Sequence, residues 1–143
     1  MKVAFYKGTQ KGFQGLVNRL VRWWTHGSYS HCELVFEYGQ CASSSLMDNG
    51  VRIANLNVCT PNWDCIEVEG DIPAAWDWFE QHKGQPYDLL GDFGFIWRPL
   101  AGSRRKWFCS EAVAAALGFP QPWRFDPNTL YAILTRKRSS NGR

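Results

Sequence analysis

No apolar run in this chain approaches the roughly 20 residues that a membrane-spanning helix needs, so no segment reads as transmembrane. The opening MKVAFYKGTQKG lacks the apolar stretch of about 7–15 residues and the small-residue cleavage site of a secretory signal, which makes the cytoplasm the expected location. There is no HExxH, no CxxC and no Asp-rich calcium loop, and GTQKGFQG sets Gly8, Gly12 and Gly15 at the wrong spacing for either nucleotide-binding signature. The expectation is therefore a protein with no metal and no cofactor. Charge of one sign is also scarce. The surplus is +3, from 16 Lys/Arg against 13 Asp/Glu, and much of it sits in the terminal RKRSSNGR, which argues against nucleic acid as the partner. Internal repeats and interdomain linkers are absent as well.

What the chain does have is enough apolar residue, 45% of 143, for a single domain with a core, and an excess of aromatics: eight Trp, nine Phe and five Tyr. Trp23, Trp97, Trp107 and Trp123 suit either the core or a groove for a peptide or an acyl chain. The five cysteines, Cys32, Cys41, Cys59, Cys65 and Cys109, are odd in number and irregularly spaced, so reduced thiols are expected rather than a disulfide framework.

The pattern predicts an α+β fold, an antiparallel sheet or small barrel-like meander packed against helices. Val3 to Tyr6 reads as a strand. Phe13, Leu16, Val17, Leu20 and Trp24 then recur on one helical stripe, expected to dock on the core, with a membrane-surface helix as the alternative. HCELVFEY alternates as a strand with His31 and Glu33 on one face and Cys32 and Leu34 on the other, and CASSSL, VRIANL and WDCIEVE extend it as a meander. Pro73 opens a helix that Gly84 stops, and PYDLLGDFGFIW reads as a helix or pair of turns with Asp88 as a cap. WFCSEAVAAALG is a short helix ended by Gly118. Asp126–Pro127 caps a last helix through Leu134, so one domain is expected over residues 1–135 and a disordered basic tail over 136–143.

Cys109 stands at the first turn of its helix, where unpaired N–H groups and the helix dipole favour a thiolate. By itself it could equally be a small buried hydrophobe. A nucleophile needs a base and a group to orient that base, and of the three histidines His31 is the best candidate because its strand presents Glu33 on the same face. His31 could instead bond the backbone. The orienting group is either Glu33, whose alternative is to meet Arg52 or Lys7 across the sheet, or Ser43 on the next strand. Glu111 points away from the thiol and serves first-turn N–H groups.

The segment GQPYDLLGDFGFIWRPLAGSRRKWFCSEAVAAALG resembles the signature of NlpC-type papain-like cysteine peptidases in Gly84, Pro86, Tyr87, Gly91, Cys109 and Ser110. SYSHCELVF is similar to that family's histidine strand but precedes the cysteine, which is the order of the circularly permuted branch that includes the YaeF/YiiX-like amidases and, more distantly, the lecithin retinol acyltransferase group. The resemblance implies a permuted papain-like architecture, Cys109 as nucleophile, His31 as general base then acid, and Tyr87 beside the oxyanion. It implies an amidase or peptidase acting on a peptide-like bond, bacterial or phage-borne, the latter working in the host cytoplasm. The alternatives are a lipid ester or thioester hydrolase or acyltransferase with peripheral membrane contact, and a non-enzymatic module binding through Arg98, Arg104, Arg105, Lys106 and the tail.

Overall fold

The computed structural model describes residues 1–87 and 106–141. Within them the chain is α+β, with an open antiparallel sheet of five strands: β1 (Lys2–Tyr6), β2 (His31–Val35), β3 (Gln40–Ser45), β4 (Gly50–Asn55) and β5 (Trp63–Glu67). The helices are α1 (Gly12–Thr25), α2 (Ile72–His82), α3 (Cys109–Ala116) and α4 (Pro127–Asn141). The expected turns in PYDLLGDFGFIW beyond Tyr87, the cap at Asp88, Gly91, Trp97 and the basic loop through Arg98, Arg104 and Arg105 lie outside the described residues.

The sheet neither closes into a barrel nor runs as a simple meander. Its order is β4-β3-β2-β1-β5, so β5 pairs with the N-terminal strand rather than with β4. The reason is the connection after β4: Leu56 and Val58 cross one face of the sheet and pack with Ala4, Val35, Cys41 and Trp63, which carries the chain to the opposite edge. The other face holds the main core, where Val3, Phe5, Cys32 and Leu34 meet Phe79 of α2, Cys109, Ala112 and Val113 of α3, and Leu130 and Leu134 of α4. Strand β2 is shorter than its alternating pattern suggests. Tyr38 turns into the left-handed region at φ 57°, and residues Glu37–Gly39 form a single 3-10 turn before β3.

Helix starts follow their caps. The Asp71 carboxylate accepts from the Ala74 N–H at 3.0 Å, and Asp126 accepts from the N–H groups of Asn128 and Thr129 at 2.8 and 3.1 Å. Helix α4 continues to Asn141 instead of ending at Leu134, so the segment expected as a disordered tail begins as helix. Arg and Lys are good helix formers, and the Lys137 ammonium lies 4.7 Å from the centre of the Phe119 ring.

The largest departure is the rotation of α1. Of the stripe expected to dock, Val17 is buried but Phe13 and Leu16 are exposed, and Gly15 and Asn18, which lie off the stripe, turn inward beside Val17. Polar contacts outweigh the apolar stripe here. Buried Asn18 accepts from the Gln10 N–H at 3.2 Å and donates to Ser30 Oγ at 3.1 Å, and a side chain at Gly15 would overlap the Gln10 carbonyl. Arg22 donates to the carbonyls of Lys7 and Gly8 and to Thr9 Oγ1.

One side chain joins the N-terminal helix, the approach to β2 and the C-terminal helix. Asn128 Oδ1 accepts from the Tyr29 N–H at 2.9 Å, while its Nδ2 donates to the Tyr29 carbonyl at 2.9 Å and to Thr25 Oγ1 at 2.7 Å. Asn128→Ala strips three partners at once and is expected to destabilise the fold by about 1–3 kcal/mol in denaturant unfolding, with Asn128→Asp recovering only part because it loses both donor bonds.

Candidate functional site

Helix α3 packs over β2 and β3 with its first residue, Cys109, fully buried. The approach to it is held in two ways. The Ser44 hydroxyl donates to the Trp107 carbonyl at 2.6 Å, and Trp107 donates from its backbone N–H to the Pro86 carbonyl at 3.0 Å and from its indole to Gln85 Oε1 at 2.6 Å. The 84–86 backbone in turn lies against the start of β4, where the Val51 N–H donates to the Gln85 carbonyl at 2.9 Å. That approach requires glycine at position 50, because φ is 147° and any Cβ would meet the Gln85 carbonyl. The Phe108 N–H points to Glu111 Oε2 at 3.5 Å, so Glu111 serves the helix start as expected.

Beneath the thiol are two residues of β2. Cys32 meets the Cys109 sulfur through both its side chain and its backbone, and His31 meets it with a hydrogen bond and a charge. His31 Nε2 lies 2.7 Å from Glu33 Oε1. Glu33 has no exposed surface and is gripped from the far side by the Arg52 guanidinium, Nη1 to Oε2 at 2.6 Å and Nη2 to Oε1 at 2.5 Å. Arg52 Nε reaches Asp48 Oδ2 at 2.9 Å. The result is a line of alternating charge, Asp48, Arg52, Glu33, His31, Cys109, running from the turn before β4 to the first residue of α3.

Burial alone would push the Cys109 thiol up, but the hydrogen bond from Cys32 and the charge of His31 reverse this and bring it down to about 5. Burial likewise opposes a charged His31, yet the thiolate and Glu33 raise it to about 10. Burial works against the Glu33 carboxylate too, and hydrogen bonds from Arg52 and His31 still hold it below the ordinary range. Thiolate and imidazolium are thus both charged between roughly pH 5 and pH 10. Cys32 is pushed the other way, well up, by burial beside that thiolate, and remains a donor.

Of the residues singled out in sequence, Cys109, His31 and Glu33 come together. Ser43 does not: its hydroxyl donates to the Cys32 carbonyl at 2.7 Å, bracing β2 against β3. Tyr87 pairs with Trp107 in an isolated bridge, and its ring centre is 5.9 Å from that of Phe108, the residue before Cys109. Lys7 pairs with Asp64 at 2.6 Å, leaving Arg52 as the partner of Glu33. His26 sits at the left-handed end of α1 with Nδ1 3.1 Å from the Trp24 carbonyl, and His82 stacks on Trp78. Trp107 packs edge-on against Trp78, whereas Trp23 and Trp123 are exposed.

Three contributors escape a reading of residue types. Cys32 looks like a core residue because it alternates with His31, Ser44 looks interchangeable with Ser43, and Asp48 lies in a turn. Among the described residues no group of three His, Cys, Asp or Glu is placed to hold a metal ion, and no helix is long and apolar enough to cross a membrane. Compared with known proteins, the sequence matches no protein-family model and no curated protein.

The charge line gives two measurable outcomes. The ultraviolet absorbance of the thiolate, taken as wild type minus Cys109→Ala, is expected to rise with a midpoint near pH 5, to shift upward in His31→Ala and in Cys32→Ala, and to stay put in Ser43→Ala. Arg52→Met leaves the buried Glu33 charge with one partner fewer and is expected to destabilise by about 3–5 kcal/mol near neutral pH. Because the Glu33 pKa is depressed by folding, that contribution is present above the unfolded value of about 4.3 and is lost as pH falls through the folded one, so wild type and variant converge in acid.

Proposed function

We propose that the protein is a cysteine-dependent hydrolase of the permuted papain-like, NlpC-type kind, an amidase or peptidase cleaving a peptide-like amide. The observation that carries this is the contact of a helix-N-terminal Cys109 with a His31 that is itself tied to a buried carboxylate. A structural cysteine has no need of an imidazolium, and a half-buried structural histidine has no need to be held charged between a thiol and a buried carboxylate. Together they supply a nucleophile and a proton donor on adjoining elements.

In the proposed reaction Cys109 Sγ attacks the amide carbon and the carbonyl π electrons move to oxygen. The Cys109 N–H, one of the first-turn groups without a partner inside the helix, faces the developing oxyanion, with the Tyr87 hydroxyl as the second donor. His31 then gives its proton to the leaving nitrogen as the C–N bond breaks, leaving a thioester on Cys109 and a neutral imidazole. That imidazole takes a proton from water as water attacks the thioester, and the second tetrahedral intermediate collapses with the thiolate leaving and the imidazolium restored. Glu33 keeps the ring oriented in both halves; the His31–Glu33 contact at 2.7 Å supports the carboxylate over Ser43, whose hydroxyl bonds the Cys32 carbonyl, in this role.

The test is hydrolysis of chromogenic amide and ester libraries by the whole protein. Cys109→Ala and His31→Ala are expected to abolish turnover, and Tyr87→Phe to slow kcat by about a hundredfold to a thousandfold. Glu33→Gln is expected to bring the alkaline limb of the pH profile down toward neutrality, since the imidazolium loses its carboxylate partner, while Ser43→Ala leaves that limb where it is. Turnover that survives in Cys109→Ala removes the proposal.

A further inference from the structure

The rotation of α1 leaves an apolar face on the outside of the molecule. Phe13, Leu16 and Trp23 are 66%, 53% and 70% exposed, Trp24 is 38% exposed, and half-buried Leu20 lies between them on the same stripe. These are large side chains on successive turns, set apart from the inner side of the helix, which is held by Asn18, Gly15, Val17 and Arg22. A surface Leu or Trp is ordinary singly, but a stripe running the length of a helix marks a contact.

The charge around the stripe selects the kind of contact. Lys2, Lys7, Lys11, Arg19 and Arg22 all precede the first acidic residue of the chain, Glu33. Of these, Arg22 is spent on the 7–9 loop and Lys7 on Asp64, while Lys11 and Arg19 are exposed on the helix and its threshold. A helix with apolar residues along one side, basic residues beside them, no acid, and paired tryptophans at one end has the composition that lies in a lipid–water interface, the indoles at headgroup depth. Docking of a second copy through the same face would set two basic helices that carry no acid against each other, a like-charge arrangement that an anionic surface avoids.

We infer that α1 is a membrane-surface docking helix, seating the protein on an anionic lipid bilayer through Phe13, Leu16, Leu20, Trp23 and Trp24 with Lys11 and Arg19 against the headgroups. At about 1.5 Å per residue its 14 residues lay a footprint about 21 Å long in the plane of the surface. The helix is coupled to the start of β2, because Asn18 holds Ser30, the residue before His31. Docking therefore brings that end of the sheet to the bilayer. The inference does not depend on the chemistry proposed for Cys109.

The experiment is co-sedimentation of the full chain with vesicles of phosphatidylcholine alone or mixed with phosphatidylglycerol, read alongside the tryptophan emission maximum. The protein is expected to pellet with the anionic vesicles and not the neutral ones, with a blue-shifted emission and with binding weakened by salt. Phe13→Ser/Leu16→Ser/Trp23→Ser is expected to stay in the supernatant while keeping the wild-type circular dichroism and Cys109 thiolate absorbance. Lys11→Glu and Arg19→Glu, which alter only exposed positions, are each expected to weaken binding about fivefold or more and keep the inference open to test if the triple variant folds poorly. No binding by the wild type, or binding unchanged in these variants, overturns the inference. So does a concentration-dependent dimer in sedimentation that the triple variant dissolves, which would give the face to a second copy.

Discussion

A carboxylate with no exposed surface in the middle of a sheet is the constraint to which the rest of the site answers. Glu33 stays ionised against the cost of its burial only because a cation stands on each side of it, Arg52 from β4 and His31 from its own strand. This makes the register of three strands a chemical matter. Ser43 lies opposite Arg52 in the β3–β4 pairing, and β3 is set beside β2 by Leu34 against Ala42, so Arg52 reaches Glu33 across one intervening strand. A slip of one residue would turn Arg52 to the other face and leave the carboxylate buried and short of a partner.

The same constraint propagates to the thiol. An imidazolium between Glu33 and Cys109 favours the thiolate, and the thiolate in turn supports the imidazolium, so each charge in the line from Asp48 to Cys109 is flanked by opposite sign. Neutralising any one member unbalances its neighbours, which is why the members act as a unit rather than as a sum. Cys32 adds something a charge cannot. It approaches from the core side as a neutral donor, solvating the sulfur where water is excluded. The helix dipole acts on the same atom, so the thiolate is favoured from three directions.

Much of this was legible in the sequence because it depends on short-range geometry. Alternation in HCELV puts His31 and Glu33 on one face, and the Phe-Cys-Ser-Glu start of α3 sets Cys109 at a helix N-terminus; both follow from local periodicity and capping. Arg52 is one of the two partners the sequence offers Glu33 across the sheet, and its pairing coexists with the His31 contact because Oε1 has room for both His31 and Arg52 Nη2 while Oε2 takes Arg52 Nη1. What stayed hidden depends on the path of the chain. That β5 joins β1 follows from Leu56 and Val58 crossing the sheet, and the choice of Ser44 over Ser43 as the anchor for Trp107 follows from which face of β3 receives α3. Neither is a property of any residue type.

Helix α1 shows how a polar residue can overrule an apolar pattern. Its stripe of Phe, Leu and Trp is wide enough to serve as a core face, and burying it would be favourable by the area rule alone. Yet turning that stripe inward would expose Asn18 and break its bonds to Gln10 and Ser30, drive the Arg22 guanidinium away from the loop carbonyls it holds, and replace Gly15 by a bulkier residue where the Gln10 carbonyl makes its closest approach. Close backbone approach tolerates no side chain, and buried hydrogen-bonding groups are costly to strand, so these few contacts fix the rotation of the helix. The apolar stripe is then free to face outward, and its exposure follows from what the inner face requires.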